Sequence, residues 1–214
     1  MENLPELTTP LHVMVSFFLS SLFSFVNLQQ CIWKEWNYHL GGVLRFCKQS
    51  DSTYLIERVK TEKLQMVLVD TCIPKDTGKM IAKVSMFKDR LPKVSEAIFN
   101  AIAAIVDEVV EKKGEDLVLN KSSFCEGIRL NQYFLSILGV SCEEIDEIVN
   151  ISNMHGYRAK LSGGGGGGCV ICFPTELAHK GAVMDFIKEL NQKGYDAQQV
   201  EIGGDGLIVE DGVM

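Results

Sequence analysis

The spacing of apolar residues divides the chain into two unlike parts. From Leu7 to Trp33 no side chain is charged, and Leu11–Leu28 is crowded with Val, Leu and Phe. That run is near the minimum length of a membrane span, but His12, Asn27 and four serines interrupt it. Glu2 and Glu6 precede it where a signal peptide would carry basic residues, and Lys34 follows only on its far side. We read residues 1–35 as an atypical segment that lies against the core or forms an irregular end of a truncated chain. A membrane anchor is the alternative, and no membrane partner is expected.

Beyond Trp36 the pattern becomes that of an α+β domain, taken as residues 36–214. Gly41–Cys47, Thr53–Arg58 and Gln65–Asp70 are short β-branched or alternating runs and predict strands. Asp76 or Thr77 starts a helix reaching about Lys88, and Pro92 opens another. In the second, Val94, Ile98, Ala101, Ile102, Ile105 and Val109 recur at helical spacing, with Gly114 as its stop. Two further helices are expected over Lys121–Leu138 and Cys142–Met154, broken at Gly139, with Ser141 and Glu144 as a capping box. The last stretch reads as strand Arg158–Leu161, a glycine loop, strand Cys169–Phe173, helix Leu177–Lys193 and a closing hairpin. In that hairpin Ala197–Ile202 and Gly206–Glu210 flank the turn Gly203-Gly204-Asp205.

The loop Gly163-Gly164-Gly165-Gly166-Gly167-Gly168 is the strongest single signal. Each glycine costs about 0.5–1 kcal/mol in backbone entropy relative to alanine. Six in a row therefore mark a place where side chains are excluded by close approach to an anion or to another loop. Successive N–H groups there can cradle phosphate oxygens, with Lys160 adding positive charge at the edge. The alternative is a flexible linker, but such linkers have polar flanks. Here Tyr157, Ala159 and Leu161 precede the loop, and Val170, Ile171 and Phe173 follow it. The spacing is neither GxGxxG nor GxxxxGK[ST], so Rossmann and Walker assignments have no support.

Composition narrows the partners. A net charge of -7 over 214 residues argues against nucleic acid. Seven scattered cysteines suit reduced thiols in a cytoplasmic protein. Cys169 and Cys172 form a CxxC, but a strand sends them to opposite faces and no second pair completes a metal site.

Lys160-Leu161-Ser162 followed by the six glycines and Cys169 closely resembles the third motif of the galactokinase, homoserine kinase, mevalonate kinase and phosphomevalonate kinase superfamily. In mevalonate kinases that motif reads Lys-Leu-Thr-Gly-Ala-Gly-Gly-Gly-Gly-Cys, so Ser162 keeps the hydroxyl. Val69–Thr77 resembles the family's strand-to-helix stretch, Asn131–Val140 its Met-Asn-Gln helix, and Gly194-Tyr195-Asp196 its Gly-Phe-Asp ending. The resemblance covers about Trp36 to Met214. It implies the superfamily's carboxy-terminal domain, with ferredoxin-like strands, helices and a glycine-rich loop.

The resemblance further implies ATP- and magnesium-dependent phosphorylation of mevalonate to phosphomevalonate, a step toward isoprenoid and sterol precursors, in the cytoplasm and in a possible homodimer. Lys160, Ser162 and Gly163 to Gly168 correspond to the nucleotide and phosphate loop, and Lys75 and Thr77 to residues near the mevalonate carboxylate. A cation and a hydroxyl donor suit a carboxylate, though Thr77 would equally serve as a helix cap. Asn131 and Gln132 are expected to pack and hydrogen-bond. No metal ligand is assigned.

The chain also departs from the family. Its second motif, Pro-x-x-x-Gly-Leu-x-Ser-Ser, and its amino-terminal lysine motif are not in the sequence, and the position of the catalytic aspartate, seven before Gly41, is Lys34, with Glu35 at the adjoining asparagine. The expectation is a truncated, alternatively spliced or diverged chain, without the ATP loop and catalytic aspartate. A non-catalytic binding or regulatory fragment, or another kinase of the superfamily, are the alternatives.

Overall fold

In a computed structural model the described residues are 43–48, 54–178, 181 and 183–203. Expectations on residues 1–42, on Lys34 and Glu35, and on the final strand Gly206–Glu210 fall outside them. The described elements are β1 (Val43–Lys48), β2 (Tyr54–Lys60), β3 (Leu64–Asp70), α1 (Thr77–Arg90), α2 (Pro92–Val109), β4 (Val110–Lys113), β5 (Asp116–Leu119), α3 (Lys121–Ile137), α4 (Glu143–Met154), β6 (Tyr157–Leu161), β7 (Cys169–Pro174), α5 (Val183–Gln192) and β8 (Asp196–Ile202).

They build two four-stranded sheets, β1-β2-β5-β4 and β6-β7-β3-β8. The second is antiparallel throughout, with Asp70 opposite both Cys169 and Asp196. Period-two alternation gives its two faces to two cores. Val67, Val69, Ala159, Leu161, Val170 and Cys172 pack against all five described helices. Met66, Leu68, Ile171, Phe173 and Ile202 face the other sheet and the ends of α2 and α3. Each fully buried Ile, Leu or Phe contributes about 1.5–3 kcal/mol, so the sheet is stabilised from both sides. Cys169 and Cys172 do lie in different cores, and among the described residues no His/Cys/Asp/Glu group could hold a metal ion.

Three local expectations need correction. The second predicted helix ends at Val109, and Val110–Lys113 turns back on Asp116–Leu119 as a hairpin. Gly114, at φ 65°, serves the tight turn rather than a helix stop. The Ser141–Glu144 capping box does not form: Cys142 is the cap residue, and the Ser141 hydroxyl donates to Asp146 Oδ1 at 2.6 Å. The last helix starts at Val183, not Leu177. Thr175 intervenes, its hydroxyl accepting from Leu177 N–H at 3.2 Å and its carbonyl from Ala178 N–H at 3.1 Å, which makes a turn. The inward face is as expected, with Phe186 and Leu190 fully buried.

Candidate functional site

The site forms where β3 ends beside the β6–β7 connection. At the end of β3, Asp70 Oδ1 accepts from Cys72 N–H at 2.9 Å, and the Thr71 hydroxyl accepts from Ile73 N–H at 3.3 Å. These two side-chain turns bend the chain sharply. Cys72 takes φ 57° as a result, a left-handed conformation that costs a non-glycine residue about 1–2 kcal/mol. The bend presents the Ile73 carbonyl to Gly168 N–H at 3.1 Å, while Thr71 N–H reaches the Gly168 carbonyl at 3.0 Å.

The glycine loop is thus clasped at its exit. Its base is closed by Ser162 N–H donating to the Cys169 carbonyl at 2.8 Å, and its middle by Gly166 N–H donating to the Val140 carbonyl at 2.8 Å. The expected exclusion of side chains is present and has named causes. A Cβ at Gly165 would overlap the Val140 carbonyl, one at Gly166 would stand 2.8 Å from Met80 Sδ, and one at Gly167 2.6 Å from the Ile73 carbonyl. Only Gly163 has open space around it among the loop's positive-φ glycines. With Gly166 and Gly168 bonded inward, the N–H groups of Gly163, Gly164, Gly165 and Gly167 have no backbone acceptor among the described residues. These four are the loop's capacity for an anion.

Lys75 comes to the loop from the β3–α1 connection: its Cδ lies 3.3 Å from where a Cβ on Gly168 would be, and the residue is exposed. Thr77 opens α1, but the cap is Asp76, whose Oδ1 accepts from Lys79 N–H at 3.0 Å. The cap alternative for Thr77 therefore does not hold. Asp70 and Lys75 both act on the Cys169 thiol, whose pKa burial chiefly raises, with Asp70 raising it further and Lys75 lowering it.

Lys160 is not at the loop's rim. It sits in β6 opposite Ile171, 1% exposed, and burial pulls its ammonium pKa down to about 8. Ser162, at the loop's foot, is also buried. Three struts stand behind the loop. One is Gln132 on α3, expected to pack and hydrogen-bond, whose Oε1 accepts from Leu161 N–H at 2.9 Å. The others are the Val140 carbonyl and Met80. Nothing in the residue types of these two marks them, since each acts through position.

Residues 116–195 match the family described as GHMP kinases C terminal. The chain is 30% identical over 175 residues to mevalonate kinase of Arabidopsis thaliana, covering 79% of this chain and 44% of that protein. It is 31% identical over 187 residues to mevalonate kinase of Schizosaccharomyces pombe, covering 79% and 43%. The chain therefore spans less than half the length of these relatives. Its fold superposes on the crystal structure of L. major mevalonate kinase in complex with R-mevalonate, with a TM-score of 0.61, 21% identity, and coverage of 78% of this chain and 51% of that one. The motifs and the fold agree: residues 116–195 carry the match to the GHMP kinase carboxy-terminal family, and mevalonate kinases are among the proteins this chain is similar to.

Proposed function

We propose that this chain supplies the carboxy-terminal part of a mevalonate kinase-like site, in which ATP gives its terminal phosphoryl group to the primary hydroxyl of mevalonate. The observation that carries the reading is Lys75 lying against Gly168, which sets a cation beside a loop in which four N–H groups have no backbone acceptor among the described residues. In this reading Gly163, Gly164, Gly165 and Gly167 take phosphate oxygens, while Gly166 and Gly168 hold the loop's shape. Ser162 and Lys160 support it from beneath. The Lys75 ammonium and the Thr77 hydroxyl bind the acceptor's carboxylate, at the end of the molecule away from the reacting hydroxyl.

Transfer forms a bond from the acceptor oxygen to phosphorus as the bond to the ADP oxygen breaks, and the hydroxyl proton passes to a base. We assign no described carboxylate to that base, and the matching sequence position is Lys34. In this reading the chain by itself does not complete the transfer. The described residues hold no cluster of metal ligands, so no step is assigned to magnesium here. A cytoplasmic location and pairing of two copies belong to the same reading. Lys34 and Glu35 favour one rival, a non-catalytic module that keeps the binding surface alone.

Calorimetric titration of the full chain with mevalonate tests the binding claim. Wild type is expected to bind, and Lys75→Ala to weaken binding by about tenfold, the loss of one charge-assisted hydrogen bond. Binding of galactose or phosphomevalonate in preference to mevalonate would instead assign the site to another kinase of the superfamily.

A further inference from the structure

Among the described strands β6 is at the edge of its sheet, so one of its sides has no described strand to take its N–H groups. At Leu161, the last strand residue before the loop, a side chain stands in for the strand. Gln132 is 3% exposed, and its Oε1 accepts from Leu161 N–H at 2.9 Å. Since a backbone N–H only donates, that bond fixes the orientation of the amide. The Nε2 then donates to the hydroxyls of Ser136 and Ser141, each at 3.3 Å. Ser141 donates onward to Asp146 Oδ1 at 2.6 Å, so the chain of bonds runs in one direction from strand to α4.

The same short connection carries the loop's second support. Val140, adjacent to Ser141, offers the carbonyl that accepts from Gly166 N–H, and its own N–H is held by the Leu135 carbonyl at 3.2 Å. One amide therefore ties the foot of the glycine loop to the turn that grips its middle. We propose that Gln132 is the positioning residue of the glycine loop, holding the backbone of residues 163–167 in register for phosphate. This rests on reading the loop as the phosphate element.

Amide hydrogen exchange on the full chain tests it. Gln132→Met keeps the volume and removes the three bonds. Exchange at Leu161, Gly166 and Gly168 is expected to accelerate about tenfold or more, while Val67 and Val69 in the sheet centre keep wild-type rates. A merely local bond would release Leu161 alone, and that result overturns the proposal. Ser141→Ala removes the bonds to Gln132 Nε2 and Asp146 Oδ1, leaves the Gln132–Leu161 bond, and guards against misfolding of the first variant. It should speed Gly166 and leave Leu161 unchanged, and an unchanged Gly166 overturns the proposal there too. Titration with MgATP separates the two claims: positioning predicts a dissociation constant raised about fivefold or more by Gln132→Met. If wild type does not take MgATP, the phosphate reading fails while the exchange rates still judge Gln132.

Discussion

At the scale of residues, six identical glycines do different work. Their run was legible as close approach to something, but one letter repeated six times cannot say which copies meet carbonyl oxygens and which face outward. Gly163 and Gly165 share nearly the same φ, 75° and 78°, but a Cβ would meet open space at the first and the Val140 carbonyl at the second. Gly163→Ala is expected to lose about 1–2 kcal/mol, the left-handed penalty alone. Gly165→Ala adds overlap with the Val140 carbonyl and should lose about 3 kcal/mol or more by urea denaturation. Equal losses would mean that the turn at Val140 gives way.

Lys160 shows the other limit at this scale, because a charged letter beside a glycine run suggests a phosphate contact and burial is invisible in sequence. Its pKa falls from 10.5 to about 8 on folding. Between those values the unfolded chain keeps a proton that the folded chain has released, so stability rises with pH across that window. Below it both states are charged and the full cost of burying the ammonium, on the order of 3 kcal/mol, is present. Denaturation of wild type and Lys160→Met across the window should show wild type gaining on the variant as pH rises. A constant difference would contradict the burial.

At the scale of elements, long periodic segments were legible and irregular joints were not. Pro92 and the Ile98, Ile102, Ile105 stripe mark α2, but the hairpin's first strand, Val110–Lys113, reads as its end, because Val109-Val110 suits either period. Ser141 and Glu144 had the letters of a capping box, yet the hydroxyl went to Asp146, a longer-range partner that spacing cannot rank. Asp76, one of two candidate starts, is the cap of α1. Asp76→Ala is expected to lose about 1 kcal/mol in thermal or urea denaturation and Asp76→Asn only a few tenths, because asparagine keeps an acceptor for Lys79 N–H. Equal losses would make the carboxylate's charge, rather than the cap bond, the stabilising part.

At the scale of the whole molecule, two distant stretches of sequence make the site. The β3–α1 connection brings Lys75 and Thr77, and the β6–β7 connection brings the glycines. They are interlocked by the reciprocal bonds between Thr71, Ile73 and Gly168. Resemblance to a family linked these stretches before any coordinates did, since local patterning says nothing of which loops meet. It marked Asn131–Val140 as well, but not that Gln132 and the Val140 carbonyl take N–H groups of Leu161 and Gly166. The central claim is that this arrangement is part of a mevalonate kinase-like site and insufficient alone. The most direct measurement is mevalonate-dependent ADP formation by the full chain, alone and mixed with a separately produced amino-terminal half of a mevalonate kinase. The account predicts background alone and mevalonate-dependent turnover in the mixture. Robust turnover by the chain alone, or a stable mixed complex that makes no ADP with mevalonate, would contradict it.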